Sequence, residues 1–398
     1  MASSSFQNTE QYELDSQILH YYLSGNGPIN SRKLVEIFIF RSSHEFKLIR
    51  QTYAALYGQN VLHLFSDIQR NNPFARAAYL RMIDPQERDA EIMRNSLFGG
   101  SVNLSTLIEI ACTRPSSELH CIKQTYRSKY NSDLEQDITN KISGGFKEIL
   151  LAVLKSCRSY GGKVDMSRAM CDAKTLYEAV GSGRTVDQKT IVSVLSQRNI
   201  GQVKAILVSY KQLYGHEFSK SMKQSKCGQF GIEVRIVVRC MQNPEKFFAK
   251  QLRMRNADAR EILIRTVITR SEIDIKDINE AFAAKTGSSL ENLVRREFNN
   301  SKDKCNEIAA GILIGLGLCL NDQLQYQTLK ETAPVNLSAM NRFSRLQILH
   351  KGKTLCREKR ADLSLQYEQA ISTQWFLSCI IIGFRLLLPD SDKVLLKS

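Results

Sequence analysis

The chain has 398 residues and a mass of 45.2 kDa, long enough for two or more ordinary domains. Hydrophobic residues make up 43% of it and charged residues 24%, which excludes wholesale disorder. The chain has only seven prolines, which favours helices over turn-rich all-β architectures. The formal net charge of +15 predicts attraction to a polyanion: nucleic acid, an acidic membrane surface or an acidic protein.

The first residues and the cysteines indicate the compartment. The stretch from Met1 to Glu10 is polar and lacks the apolar core of a secretory signal. No run of 18 apolar residues occurs, so the sequence predicts no membrane-spanning helix. The ten cysteines are scattered without a CxxC pair, which argues against a structural zinc site and fits a reducing compartment. We therefore expect a cytoplasmic protein.

A fourfold internal repeat dominates the rest of the chain. Four arginines each end an apolar segment, and each is followed by isoleucine at eight positions and an aromatic residue at twelve. Steps of four residues place these side chains on one helical stripe, so each copy carries an apolar face that must be buried. The landmarks are Arg41, Ile49 and Tyr53; Arg114, Ile122 and Tyr126; Arg198, Ile206 and Tyr210; and Arg270, Ile278 and Phe282.

The junction after each arginine predicts the start of another helix. In three copies a capping side chain precedes an acid or amide by three residues, as in a capping box. These pairs are Ser42 with Glu45, Asn199 with Gln202, and Ser271 with Asp274. The second copy has Pro115 at the cap position, which also suits a helix start. The pattern predicts about five helices per copy, and each repeated arginine is expected to bond helix-end carbonyls or a nearby carboxylate.

The copies divide the chain into six parts. We expect an N-terminal tail (1–12), repeat 1 (13–84), repeat 2 (85–160), a linker with repeat 3 (161–242), repeat 4 (243–320), and a C-terminal extension (321–398). The extension shows none of the repeat landmarks, and its sequence indicates no function.

Three segments resemble signatures of the annexin family, and of plant annexins in particular. They are IDPQERDAEI (Ile83 to Ile92), IEIACTRP (Ile108 to Pro115) and NPEKFFAKQLR (Asn243 to Arg253). The resemblance covers roughly residues 10 to 318. It implies an all-α fold of four annexin repeats, each of about five helices, in a curved disc with an atypical C-terminal extension. It also implies peripheral binding to acidic phospholipid membranes, with calcium bridging the convex side to lipid head groups. The sequence has no Ser/His/Asp or Cys/His order and no phosphate-binding loop, so we expect no enzymatic activity.

The calcium loops of the family are degenerate in this sequence. The usual loop, G-x-G-T-D/E, supplies backbone carbonyls, and a distant carboxylate completes the oxygen ligands that calcium needs. Copies one and three keep the two glycines of the G-x-G pattern: Gly25, Gly27, Gly181 and Gly183. These glycines are consistent either with a weak calcium loop or with an ordinary turn between helices. The expected acid position holds Ala75, Lys147 or Gly231 in the first three copies. Calcium is therefore at most a weak ligand.

Basic residues flank these loops. If the loops lie on one surface, the basic side chains attract anionic lipid without metal; otherwise they are solvated arginines of a basic protein. The candidates are Arg32, Lys33, Arg184, Arg253, Arg255 and Arg260. Under the first interpretation, binding to acidic membranes is calcium-weak or calcium-independent. The alternative functions are a helical protein-interaction scaffold and a general polyanion (RNA) binder. We expect a monomer or weak oligomer with possible protein partners and no specific nucleic acid.

Two further features bear on redox chemistry. Cys112 and Cys240 match two cysteines proposed as a redox-sensitive cluster in plant annexins, although buried thiols that act as small hydrophobes are the favoured interpretation. Some plant relatives carry a histidine before the first repeated arginine that is linked to a proposed peroxidase activity. Here that position is Phe40, so this activity is not expected.

Overall fold

The computed structural model describes residues 2–25, 30–155, 163–181, 185–254, 258–298 and 303–318. Within these ranges the regular elements are twenty α-helices and one 3-10 turn, Ser225–Cys227. This confirms the predicted all-α class with five helices in each copy. The predicted extension, 321–398, lies outside the described residues.

The helices follow one another in four sets of five. Repeat 1 contains α1 (Ala2–Ser24), α2 (Ser31–Phe40), α3 (Ser43–Tyr57), α4 (Val61–Ile68) and α5 (Pro73–Met82). Repeat 2 contains α6 (Pro85–Phe98), α7 (Leu104–Thr113), α8 (Ser116–Tyr130), α9 (Leu134–Lys141) and α10 (Gly145–Lys155). Repeat 3 contains α11 (Met166–Gly181), α12 (Gln188–Gln197), α13 (Ile200–Tyr214), α14 (Phe218–Ser221) and α15 (Gly228–Gln242). Repeat 4 contains α16 (Pro244–Gln251), α17 (Ala259–Arg270), α18 (Ile275–Thr286), α19 (Leu290–Glu297) and α20 (Lys304–Leu318).

The residues of the predicted N-terminal tail are helical. Residues 2–12 belong to α1 and continue without a break into the first helix of repeat 1. No glycine or proline interrupts the sequence from Ala2 to Ser24, so nothing local ends the helix earlier.

The predicted caps hold in two copies and fail in one. At the start of α3, Glu45 N–H donates to Ser42 Oγ at 3.2 Å while Ser42 N–H donates to Glu45 Oε2 at 2.8 Å, which is a full capping box. Asn199 Oδ1 accepts from the backbone of Gln202 at 2.7 Å. In repeat 4, however, Ser271 does not cap α18, which begins only at Ile275. The Asp274 carboxylate that a capping box would use is held by the Arg270 guanidinium instead.

The apolar landmarks lie inside, in two separate clusters. Repeats 2 and 3 share one cluster, which we call the 2–3 core, and repeats 1 and 4 share the other, the 1–4 core. All eight predicted isoleucine and aromatic positions are buried: Ile49, Tyr53, Ile122, Tyr126, Ile206, Tyr210, Ile278 and Phe282. The stripe of one copy is therefore covered mainly by helices of its own repeat and of its paired repeat.

The repeated arginines are structural. In three repeats the Nε of the arginine donates to an aspartate on the first helix: Arg41 to Asp15 at 2.6 Å, Arg114 to Asp89 at 2.6 Å, and Arg198 to Asp172 at 2.7 Å. Each pair ties the end of the second helix to the first. In repeat 4 the first helix has only eight residues, and Arg270 pairs locally with Asp274 at 2.7 Å. These side chains are thus occupied within the fold.

One buried ion pair joins the two cores. Arg265 on α17 belongs to the 1–4 side, and its Nη2 lies 3.0 Å from Glu109 Oε2 on α7 of the 2–3 side. The two side chains are 6% and 2% exposed, so water screens the attraction little.

Candidate functional site

In three repeats, described residues next to the first-to-second loop contact residues next to the junction between the fourth and fifth helices. In repeat 2, Lys141 at the end of the fourth helix places its Nζ 4.7 Å from the centre of the Phe98 ring, at the end of the first helix. In repeat 1, Asn72 before the fifth helix donates to Tyr22 Oη of the first helix at 2.8 Å.

Repeat 4 shows the same juxtaposition. There Arg260, which opens the second helix, lies 5.5 Å from the ring of Phe298 at the end of the fourth helix. In repeats 1, 2 and 4, therefore, the first-to-second and fourth-to-fifth junctions meet at one end of the helices. We call this end the loop face.

The structure describes four of the six predicted basic residues, and all four are at least partly exposed. Arg32 and Lys33 open α2, and Arg32 Nε lies 3.2 Å from Glu36 on the next turn. Arg253 follows α16 and Arg260 lies in the first turn of α17. The remaining two, Arg184 and Arg255, lie outside the described residues.

The predicted glycines are described in part. Gly25 has a φ of +69°, a left-handed conformation that suits glycine at the turn after α1. Gly181 is the last residue of helix α11. Gly27 and Gly183 lie outside the described residues.

The carboxylate half of a calcium site does not fit the residues present. Ala75 is fully buried at the start of α5, and Lys147 brings a positive charge to the start of α10. A Cβ on Gly231 would lie 2.3 Å from the Met222 carbonyl oxygen, so no longer side chain is accommodated there. In repeat 4, Asp303 serves as the cap of α20 and accepts from Cys305 N–H at 2.9 Å.

No alternative ligand set replaces it. In the described part of the chain, no three His, Cys, Asp or Glu side chains gather where they could hold a metal ion. Calcium prefers several oxygen ligands with carboxylate charge, and the positions where the pattern expects the completing acid in the first three repeats hold Ala75, Lys147 and Gly231 instead.

The fourth-to-fifth junctions carry basic residues that the sequence analysis did not select for lipid binding. Each of the four junctions exposes at least one such side chain. They are Arg70, Lys141, Lys223 and Lys304. Their position at helix ends is visible in the sequence. The contact of Lys141 with Phe98 is not, because about 40 residues of chain separate the two.

The two candidate redox cysteines do meet. Cys112 on α7 and Cys240 on α15 are both buried and free of disulfides, and their thiols are hydrogen-bonded to one another. Burial, reinforced by the neighbouring thiol, raises the pKa of Cys240 well above its usual value. A thiol with a raised pKa holds little thiolate at neutral pH, which disfavours nucleophilic reactivity.

Comparisons with known proteins identify the family. A family model described as Annexin matches residues 88–153 and 171–231. Annexin D2 of Arabidopsis thaliana is 32% identical over 289 residues, which cover 72% of this chain and 90% of the relative. Annexin A13 of Homo sapiens is 32% identical over 287 residues, with 71% and 90% coverage. The chain therefore belongs to the annexin family, whose general role is calcium-dependent membrane binding.

Solved structures agree on the fold. Annexin III superposes with a TM-score of 0.68 at 25% identity, over 76% of this chain and 93% of that chain. A calcium-bound annexin (Sm)1 superposes with a TM-score of 0.64 at 20% identity, over 76% of this chain and 90% of that chain, which shows the shared fold alone. No helix in the described part of the chain is long and apolar enough to cross a membrane.

Proposed function

We propose that this annexin binds acidic phospholipid membranes peripherally, through the loop face, by electrostatic attraction that does not depend on calcium. The observation that carries the proposal is the exposure of basic side chains at both kinds of junction, where calcium ligands would otherwise lie. We place this activity at the cytoplasmic side of membranes and assign the chain no catalytic role.

The charges are sufficient for reversible binding. A basic side chain near an acidic bilayer contributes about 1 kcal/mol. Arg253, Arg260, Lys33 and Lys141 are all exposed, and none of the four forms an ion pair shorter than 4.0 Å in the described part of the chain. Salt weakens such binding, because the Debye length is only about 8 Å at physiological ionic strength.

Calcium has a minor role in this proposal. Backbone carbonyls of the loops near Gly25 and Gly181 are the remaining source of calcium ligands, and Ala75 and Gly231 occupy the positions where the pattern expects the completing carboxylate. Without that charge, the affinity for calcium falls towards the weakest class of protein sites.

Liposome co-sedimentation of the full chain tests the proposal. Vesicles of graded phosphatidylserine content are compared in the presence of calcium and of a chelator, at low and at moderate salt. We expect binding that rises with phosphatidylserine, survives the chelator and weakens with salt. Binding that the chelator abolishes and moderate salt leaves unchanged contradicts the proposal.

Two further arms address the alternatives. No binding to any acidic vesicle would favour the protein-interaction scaffold. RNA is added as a competitor at fixed ionic strength. If RNA at equimolar phosphate removes the protein from the vesicles completely, the result favours a general polyanion binder.

A further inference from the structure

A cavity of about 440 Å³ opens beside α13 in repeat 3. Its floor consists of buried apolar side chains from three helices: Leu207 on α13, Phe218 on α14 and Val238 on α15. Val208, which is 46% exposed, forms part of its wall. Both the volume and the apolar lining are typical of sites that bind a ligand.

The other repeats place a polar side chain where repeat 3 has the floor residue Leu207, which is the ninth residue after the repeated arginine. In repeat 1 this residue is Arg50, whose Nη2 lies 3.1 Å from Asp84 Oδ2. In repeat 4 it is Asn279, whose Oδ1 accepts from Leu290 N–H at 2.8 Å. The cavity beside Asn279 measures about 10 Å³. The large cavity therefore distinguishes repeat 3 from repeat 4, which has the same helix order.

Repeat 2 shows which side chains close this position. There the ninth residue is Lys123, and its Nζ donates to Glu135 Oε1 and to the Leu154 carbonyl oxygen, both at 3.1 Å. Counted from the repeated arginine, Glu135 corresponds to Ser219 in repeat 3. Repeat 3 thus lacks both the long side chain that would cover the floor and the carboxylate that would hold it there.

The rim of the cavity is mainly basic. Lys204, Val208 and Lys211 follow one another at steps of four and three residues, so they share one exposed face of α13. Lys204 has no carboxylate within 4.0 Å in the described ranges. Lys211 Nζ lies 3.8 Å from Glu217 Oε1, but these side chains are 64% and 61% exposed, so water weakens their attraction. The rim therefore favours a ligand that carries negative charge beside its apolar groups.

We propose that this cavity binds an acidic amphipathic helix of a partner protein. Apolar side chains spaced three or four residues apart on that helix enter the cavity, as in other complexes that seat a helix in a groove. Aspartate or glutamate side chains beside them pair with Lys204 and Lys211. The interaction involves no lipid, so it does not depend on the proposed membrane binding.

A protein helix fits this cavity better than a nucleic acid does. Single-stranded nucleic acids bind by stacking their bases on accessible aromatic faces. The ring that lines this cavity belongs to Phe218, which is only 1% exposed, so it offers no such face. The accessible lining suits aliphatic side chains instead.

Binding of a designed peptide to the full chain tests the proposal. The probe is a fluorescent peptide of about 18 residues, long enough to form a helix, with a leucine stripe flanked by glutamates. One control peptide has lysine in place of every glutamate, and the other has serine in place of every leucine. In fluorescence anisotropy titrations without lipid, we expect each control to bind at least about tenfold more weakly. Failure of the acidic leucine peptide to bind, or equal binding of the three peptides, overturns the proposal.

A variant that closes the cavity locates the binding. Leu207→Lys combined with Ser219→Glu introduces the pair that repeat 2 accommodates, and should weaken binding of the acidic peptide at least about tenfold. Leu56→Lys combined with Gln51→Glu makes the same changes of charge on exposed positions of α3, and should change binding less than about twofold. Thermal unfolding verifies that both double variants are folded. Equal binding by the two variants overturns the site.

A matched pair of lysines tests the charged rim. Lys204→Gln should weaken binding of the acidic peptide about threefold, because one of the two rim cations is lost. Lys47→Gln removes an exposed charge from the corresponding position of α3 in repeat 1, and should change binding less than about 1.5-fold. Equal effects of the two substitutions overturn the role of the rim.

Two further measurements identify other occupants. Complete displacement of the peptide by an RNA oligonucleotide of equal charge would assign the surface to polyanions. Self-association of the full chain in sedimentation velocity that the cavity-closing variant abolishes would assign it to a second copy of the chain. Either result overturns the acidic helix as the partner, whereas a monomer that RNA does not displace supports it.

Discussion

The 2–3 core and the 1–4 core have the same architecture, but the sequences of their repeats match the family pattern to different extents. The family model matches residues 88–153 and 171–231, which lie in repeats 2 and 3. Repeats 1 and 4 bury their landmarks as completely, yet α16 is only eight residues long and Arg270 takes its carboxylate from a nearby turn. The comparison shows that the buried stripe maintains the fold, while signature positions are replaced where an alternative partner is at hand.

The largest expected effect comes from the pair that joins the cores. Glu109→Leu leaves the Arg265 guanidinium buried without its carboxylate, and should lower the free energy of unfolding by about 3–5 kcal/mol. The double variant with Arg265→Leu should recover to within about 1 kcal/mol of the wild type. Urea denaturation of the two single variants and the double variant measures the coupling. Strictly additive losses would show that the two residues do not act as a pair.

A smaller difference should separate the first-helix aspartates of the two cores. Asp89→Asn removes the carboxylate charge that pairs with Arg114, whose side chain is 4% exposed. It should lower the free energy of unfolding by about 3 kcal/mol. Asp15→Asn removes the charge partner of Arg41. Because the Arg41 side chain is 19% exposed and water can hydrate it, we expect the free energy of unfolding to fall by only about 1 kcal/mol.

The urea midpoints of these two variants show which of the two ion pairs, Asp89–Arg114 or Asp15–Arg41, contributes more to stability. Burial alone would raise the pKa of Asp89, but Arg114 and Arg88 hold that pKa below its usual value, which marks the strength of the pair. Equal losses in the two variants would mean that exposure of the arginine does not set the cost.

The start of the fifth helix offers a third comparison. Repeat 1 has Ala75 where repeat 3 has Gly231, and a Cβ on Gly231 would approach the Met222 carbonyl oxygen to 2.3 Å. Gly231→Ala should therefore cost about 2 kcal/mol by overpacking, while Ala75→Gly should cost about 1 kcal/mol through backbone entropy and the lost methyl group. Thermal unfolding of both variants tests this; a neutral Gly231→Ala would show that the helix start can shift.

The smallest expected effect is a gain in stability. Burial raises the pKa of Glu233, and Oε2 of this carboxyl has no hydrogen-bond partner among the described residues. Because its pKa is raised above the ordinary 4.5, the contribution of Glu233 to stability is present below that pH and is lost as pH rises through the native pKa. Glu233→Gln should thus stabilise the fold at neutral pH by less than about 1 kcal/mol, with no gain in acid. Urea midpoints at neutral pH and near pH 4 check the sign.

Much of the fold could be predicted, because it depends on local periodicity. The stripe of Ile49 and Tyr53 and the capping box of Ser42 are encoded within a few residues of one another, so sequence alone predicted them correctly. The role of Arg114 followed from its place at a helix end. Its partner Asp89 did not, because the pairing crosses 25 residues and depends on how two helices pack.

The candidate site was less predictable for the same reason. The contact of Lys141 with Phe98 joins two helices of one repeat, and the contact of Cys112 with Cys240 joins two repeats. Neither distance is determined by spacing along the chain. The start of α18 was predicted wrongly because the Arg270 guanidinium competes for the Asp274 carboxylate that a capping box would use.

The packing of the Ile39 side chain of α2 against Gly315 of α20 makes the completion of repeat 1 depend on the last described helix. A Cβ on Gly315 would lie 2.0 Å from Ile39, and Tyr22 contacts Cys305 across 283 residues of sequence. At about 5–20 residues per second, repeat 1 emerges roughly 15–60 seconds before its partner helix does. The middle repeats can pair earlier, so nascent chains carry an uncovered first repeat, and this interval is when chaperones matter most.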